Sequence, residues 1–81
     1  MKVKPDPRLF WFLKEDILLD LSKPSIQDMY VQEILSHGGM DDVKNLLKMF
    51  GKETFQKIFS RVRYFLKKEV RMFWEEYFEN H

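Results

Sequence analysis

Four polar side chains recur along one face of a predicted helix in the second half of the chain, at positions i, i+4, i+8 and i+11. They are Lys52, Gln56, Ser60 and Arg63. Glutamine and arginine read base edges in the major groove of DNA, and a glycine often forms the turn before a recognition helix. Gly51 stands at that turn position. The pattern resembles a helix-turn-helix pair, for which nucleic-acid binding is one candidate function.

The segment that carries this face is basic, which suits contact with phosphates. Residues 51–72 contain seven basic and two acidic residues, although the net charge of the whole chain is only +1. The other side chains that we expect to reach phosphates are Lys57, Arg61, Lys67, Lys68 and Arg71. The alternatives are a solvated helix face, because every surface helix needs a polar side, or a surface for an acidic protein partner. The spacing also departs from a typical motif, since Lys57 and Ser60 stand where apolar groups are usual.

Aromatic side chains are abundant for a chain of this size. They make up 16% of the 81 residues, and so short a chain builds only a thin core. The rings that we expect in the core are Phe55, Phe59, Phe73 and Trp74. The rings that we expect at a protein interface are Trp11, Phe12, Tyr77 and Phe78. The alternative is that these four rings also fill the core.

Side chains that could act as an acid or base at neutral pH are scarce. The histidines are His37 and His81, and His37 suits a helix C-terminus, where positive charge is favourable. Asp41 and Asp42 are adjacent, so on a helix they point about 100° apart and form no carboxylate pair. We therefore expect that the protein is not an enzyme.

No metal ion or cofactor is expected either. The chain lacks cysteine, which excludes thiolate zinc sites and disulfides. Glu75 and Glu79 lie one turn apart near His81, but carboxylates at a fraying helix end are usually solvated. Gly38 and Gly39 lack the lysine and hydroxyl residue that complete a phosphate-binding loop.

The elements that must position these side chains are predicted to be helices. Apolar residues recur at helical spacing over 26–36, over 41–50 and from Glu53 onwards. A short helix is predicted over 7–13, with Asp6 as its N-cap. We expect one all-α domain over residues 1–81, a compact bundle of four to five short helices, with residues 1–5 flexible.

Residues 14–25 are predicted to form a connector between the first two helices. Its expected buried anchors are Ile17, Leu18, Leu19 and Leu21. Ser25, with Asp28 three residues later, resembles a capping box for the helix that follows. Gly38 is predicted to end that helix in a left-handed conformation.

The number of helices at the C-terminal end is open from local signals. Residues 52–81 contain neither glycine nor proline, so one long helix is an alternative. Three consecutive large apolar residues at 64–66 favour a corner instead. We predict a break there and a last helix over 67–78.

Apolar runs are short throughout the chain. The longest is Leu9–Leu13, whereas a membrane-spanning helix needs about 20 apolar residues. Residues 5–8 interrupt any apolar stretch that could resemble a signal peptide. We expect a cytoplasmic protein without a membrane span, and the lack of cysteine fits that compartment.

Several motifs resemble a family of small bacterial and archaeal proteins of unknown function. They are LFW at 9–11, LDLSK at 19–23, ILSHGGMDDVKNLLKMFGKE at 34–53 and FW at 73–74. The family is all-helical and is often encoded beside nucleotidyltransferase-type toxins, so the resemblance implies an antitoxin-like role. Where the family tends to have Leu followed by Ser-Pro before its final helix, this chain has Leu66, Lys67 and Lys68.

Together these features favour a non-enzymatic binding or regulatory module. The partner would be a protein, such as a nucleotidyltransferase-type toxin, or a second copy of the chain. A helix-turn-helix-like protein that binds nucleic acid through residues 52–71 is one alternative. A structural helical domain with no nucleic-acid role is another.

Overall fold

The computed structural model, which describes residues 1–80, is mostly helical. Its α-helices are α1 (Pro24–His37), α2 (Met40–Phe50), α3 (Lys52–Val62) and α4 (Lys68–Asn80). Helices make up 65% of the described residues, which confirms the predicted helical class. Two short strands, β1 (Lys2–Val3) and β2 (Leu19–Asp20), depart from the all-α prediction.

The strands pair antiparallel and attach the N-terminal segment to the connector before α1. Lys2 lies opposite Asp20 and Val3 opposite Leu19. Residues 1–5 thus include a paired strand, and their predicted flexibility stays a prediction. Leu19 is 4% exposed whereas Leu18 is 59% exposed, so the prediction of Leu18 as a buried anchor is wrong. Neighbouring side chains on extended backbone point to opposite faces, which permits only one of the two to reach the core.

Residues 6–13 form overlapping turns, so the predicted helix over 7–13 is wrong. Asp6 does accept the capping hydrogen bond from the Arg8 amide at 2.9 Å. The turns then close through the Phe10 amide, which donates to the Asp6 carbonyl at 2.9 Å. Phe10 stacks on Tyr30 of α1 with ring centroids 5.2 Å apart. So short a helix gains little from its own hydrogen bonds, and packing on α1 determines the conformation instead.

The N-terminus of α1 differs from the predicted capping box. The helix begins at Pro24 with Lys23 extended at φ −89° and ψ 124°, and no side chain caps it. A residue before proline is pushed out of the helical region, so proline determines this helix start more strongly than Ser25 does.

The two glycines that end helices do so differently. Gly38 has φ −78°, so its predicted left-handed conformation is wrong. A Cβ at Gly38 would lie 2.6 Å from the Ile34 carbonyl oxygen, so close approach explains this glycine. Gly51 has φ 79° and joins α2 to α3 as a single residue. A helix-turn-helix usually has a turn of three or four residues, whereas a single residue joins α2 to α3. The resemblance of α2 and α3 to that motif stays a prediction.

The chain breaks after α3 as predicted, and the one-helix alternative is wrong. A 3-10 turn spans Arg63–Phe65, and Leu66 is extended at φ −93° and ψ 153°. Leu66 is only 6% exposed, so its burial anchors the corner. The last helix begins one residue later than predicted and extends to Asn80.

The core lies between α1, α2 and α3 and is closed by α4. Its most buried side chains are Leu21, Val31, Leu46, Phe55, Ile58 and Val62. The Phe55 ring contacts Trp74 of α4 at 5.1 Å between centroids, and Phe59 is also buried. Phe73 is 60% exposed, so its prediction as a core residue is wrong. Adjacent helical side chains diverge, and with Trp74 turned inward Phe73 lies at the edge.

No helix within residues 1–80 is both long and apolar enough to cross a membrane.

Candidate functional site

The predicted base-reading face lies along α3 beside α4. Gln56, Ser60 and Arg63 line one wall of a groove of about 460 Å³. Glu75 and Glu79 of α4 line the opposite wall. These carboxylates disfavour phosphate binding there, because like charges repel in a shared cleft. The structure therefore places Gln56, Ser60 and Arg63 on one face, with acidic side chains opposite them.

Lys52, at the start of the same face, points toward α4. Its ammonium nitrogen lies 5.9 Å from the centroid of the Tyr77 ring. This distance is just within the limit of about 6 Å for a cation–π contact, so Lys52 lies against the C-terminal half of α4.

Two of the three arginines in the basic segment, Arg61 and Arg63, pair with acidic side chains. Arg61 lies 2.8 Å from Asp28 of α1, and its Nη2 also donates to Gln27 at 3.2 Å. Arg63 lies 3.4 Å from Glu75, and its Nη2 donates to the Tyr64 hydroxyl at 2.7 Å. The hydrogen bond to Tyr64 raises the pKa of the Arg63 guanidinium, with Glu75 acting in the same direction.

The lysines of the basic segment remain exposed. Lys57, Lys67 and Lys68 lie on the surface, and none of them joins an ion pair within residues 1–80. Arg71 is half-buried. Positive charge without an ion pair within residues 1–80 therefore lies both on α3, at Lys57, and around the start of α4, at Lys67 and Lys68.

The four predicted interface aromatics separate into two pairs. Trp11 and Phe12 are 78% and 48% exposed, and their rings meet edge to face at 5.7 Å. Tyr77 and Phe78 are partly buried. Their rings contact Trp74 at 5.2 and 6.0 Å between centroids. Trp11 and Phe12 are thus accessible to a partner, whereas Tyr77 and Phe78 belong largely to the packing of α4.

An apolar groove between α2 and α4 is a feature that the sequence analysis missed. It has a volume of about 460 Å³. Its apolar lining comprises Leu35, Val43, Leu47, Val70 and Trp74. Met40 and Phe73 also line it and are 76% and 60% exposed. The helical spacing of these residues could have identified an apolar stripe, but not that the stripe stays open.

Two exposed aromatics at the corner before α4 were also missed as site residues. Tyr64 and Phe65 are 69% and 71% exposed. Their position beside Lys67 and Lys68 is readable from the sequence, as an aromatic pair next to a basic pair.

Acidic and histidine side chains do not gather into a metal site in the described part of the chain. No three of them within residues 1–80 are placed to hold an ion. The set of Glu75, Glu79 and His81 includes a residue that lies outside the described range. His37 lies on the surface with its Nε2 3.9 Å from the Glu33 carboxylate.

The chain matches no protein-family model, no curated protein and no solved structure.

Proposed function

We propose that this chain is a non-enzymatic binding module that docks an amphipathic helix of a protein partner between α2 and α4. The observation that carries the proposal is the apolar groove with Phe73 and Met40 exposed at its edge. Grooves of this kind accept the apolar face of a helix through anchors spaced at i, i+3 or i+4, and i+7.

Charged residues at the groove define the partner more closely. Lys44 lines the groove on the α2 side and Glu69 lines it on the α4 side. A helix whose apolar face enters the groove would therefore carry acidic residues toward α2 and basic residues toward α4. Such rim charges set orientation and association rate more than affinity.

The resemblance to antitoxin-like proteins suggests the class of partner. We propose a nucleotidyltransferase-type toxin that acts in the cytoplasm, bound through one of its helices. In this proposal the protein has a regulatory role and performs no chemistry. Co-expression should restore growth to cells that make such a toxin encoded beside this gene, and Phe73→Glu should abolish the rescue.

A peptide selection tests the groove directly. Helical peptides of about 15 residues would be displayed and selected on the protein, with Phe73→Glu as the counter-selection target. We expect selected peptides to repeat apolar residues at helical spacing and to carry opposite charges on their two flanks. Their binding should change the emission of Trp74 in a Trp11→Phe background, which leaves one indole.

Met72→Glu is the matched control for this experiment. Met72 is 52% exposed on the same helix but does not line the groove. Peptides that bind Met72→Glu as tightly as the wild type, but not Phe73→Glu, would support the proposal. Peptides that bind both variants equally, or that lack helical periodicity, would contradict it.

A further inference from the structure

The corner between α3 and α4 exposes two consecutive aromatic side chains. Tyr64 is 69% exposed and Phe65 is 71% exposed. The corner is anchored from within, because Val62 and Leu66 on either side are 1% and 6% exposed. The backbone is thus fixed by buried neighbours while both rings face solvent. Each of these exposed rings offers a face on which a flat ligand can stack.

Arg63 supports one of these rings. Its guanidinium carbon lies 4.8 Å from the centroid of the Tyr64 ring, and its Nη2 donates to the Tyr64 hydroxyl at 2.7 Å. Glu75 holds the other side of the guanidinium at 3.4 Å. Arg63 therefore orients the Tyr64 ring and adds positive charge next to it, while most of the ring surface stays open.

Positive charge without a partner follows the rings directly. Residues 60–68 contain four basic and no acidic residues. Arg61 and Arg63 are paired with carboxylates, but Lys67 and Lys68 are exposed and join no ion pair within residues 1–80. Two ammonium groups without ion pairs within residues 1–80 thus lie at most four residues from two open rings.

We propose that this corner binds single-stranded nucleic acid, with Tyr64 and Phe65 stacking on bases and Lys67 and Lys68 contacting phosphates. Unpaired bases expose the faces that such rings need, whereas bases in a duplex stack on one another. The site adjoins the α3 face beside Glu75 and Glu79, because Arg63 lines that face and also contacts Tyr64. Tyr64, Phe65, Lys67 and Lys68 do not line the groove between α2 and α4. The inference does not rest on the protein-docking proposal.

The test is a titration of a labelled oligonucleotide of about 12 nucleotides, followed by fluorescence anisotropy at two salt concentrations. We expect binding to the single strand and much weaker binding to a duplex of the same length. We assume that Lys67 and Lys68 each neutralise one phosphate. A plot of the logarithm of the association constant against the logarithm of the salt concentration should then have a slope of about −1.4. Replacing both lysines by glutamine should remove that slope.

Phe65→Leu is the decisive variant, because leucine stays apolar but cannot stack as a ring does. We expect it to weaken single-strand binding about tenfold. Phe73→Leu is the matched control, since Phe73 is similarly exposed on α4 but lies in the apolar groove, and it should leave affinity unchanged. Both substituted positions are exposed, so helicity measured by circular dichroism should be retained.

Three outcomes would overturn the proposal. The first is no binding at about 50 mM salt, where phosphate contacts are strong. The second is equal loss of affinity in Phe65→Leu and Phe73→Leu, or none in either. The third is binding to vesicles of anionic lipid without single-strand binding, lost when Lys67 and Lys68 are replaced by glutamine, which would identify the corner as a membrane contact.

Discussion

Arg61 on α3 and Asp28 on α1 form an ion pair that crosses the two central helices at 2.8 Å. The Nε of Arg61 donates to both oxygens of the same carboxylate, at 2.9 and 3.2 Å. Side-chain exposures of 43% and 31% leave the pair partly screened by water. Arg61, which the sequence predicted to contact a phosphate, therefore holds α3 against α1 instead. Asp28, predicted to belong to a capping box, supplies the other half of the pair.

This geometry predicts that Arg61→Glu lowers the free energy of unfolding by about 0.5–1 kcal/mol, as expected for a half-exposed ion pair. Urea denaturation followed by circular dichroism measures the change. Lys57→Glu is the matched control on the same helix, because Lys57 has no ion-pair partner within residues 1–80. The double variant with Asp28→Arg and Arg61→Asp should recover much of the loss. Equal effects of Arg61→Glu and Lys57→Glu would contradict the role of the pair.

Phe55 is central to the core, with 0% exposure and ring contacts to Trp74 and Phe78 at 5.1 and 5.6 Å. Phe55→Ala should lower the free energy of unfolding by about 3–5 kcal/mol, because it removes buried surface and leaves a cavity. That is a large share of the stability of a small domain. Phe73→Ala should change the free energy of unfolding by less than about 0.5 kcal/mol, since the Phe73 ring is mostly exposed. A similar loss in both variants would show that Phe73 also supports the core.

Gly51 adopts φ 79° and ψ 160°, a conformation that residues with a Cβ rarely take. Gly51→Ala should therefore lower the free energy of unfolding by about 1–3 kcal/mol through backbone strain. The cause is not a clash, because a Cβ there would meet no atom within 4 Å. Gly39→Ala is the control, because φ −92° suits any residue and its Cβ would lie 3.8 Å from the nearest atom. Thermal denaturation of the two variants compares them. If Gly39→Ala proved the more damaging, strain at Gly51 would not be the cause.

Acid should destabilise the fold through Asp20, which closes the turn between β2 and α1. Its carboxylate accepts hydrogen bonds from the Ser22 hydroxyl at 2.6 Å and the Ser22 amide at 3.1 Å. These bonds lower the pKa of Asp20 below its ordinary value of 3.8. A lowered folded-state pKa means that the carboxylate stabilises the fold above that ordinary value. The contribution is lost as the pH falls through the folded-state pKa.

The corresponding measurement is the melting temperature between about pH 6 and about pH 2. Asp20→Asn should flatten the acid side of this profile, and Ser22→Ala should flatten it in part because the hydroxyl donor is lost. Asp6, whose pKa is lowered by its bonds to Arg8, keeps a residual slope in both variants. An acid profile that Asp20→Asn leaves unchanged would assign the dependence to other carboxylates.

Trp11 tests the interface that the sequence predicts. At 78% exposure, Trp11→Ala should change the free energy of unfolding by less than about 0.5 kcal/mol. We expect it to weaken association with a second copy of the chain, measured by sedimentation. Leu18→Ala, at 59% exposure, serves as the control for loss of a surface apolar group. Association unaffected by Trp11→Ala would place the interface elsewhere.

The helical class, the stripes that build the core and the break near residue 65 could all be predicted from the sequence. These features depend on local signals. Phe55, Ile58, Phe59 and Val62 repeat with the period of a helix and are all buried. Three bulky apolar residues in a row cannot share one helix face, and the chain turns at that point.

Tertiary structure decided what local signals leave open. The pairing of β1 with β2 joins residues far apart in sequence, and packing of Phe10 on Tyr30 replaced a predicted helix by turns. The rotation of α4 determined that Trp74 is buried while Phe73 is exposed. Residue types and spacing determined which side chains share a helix face. Only the packing of one helix on another determined whether that face meets solvent, a carboxylate or the core, because side-chain partners from distant segments have no local signature.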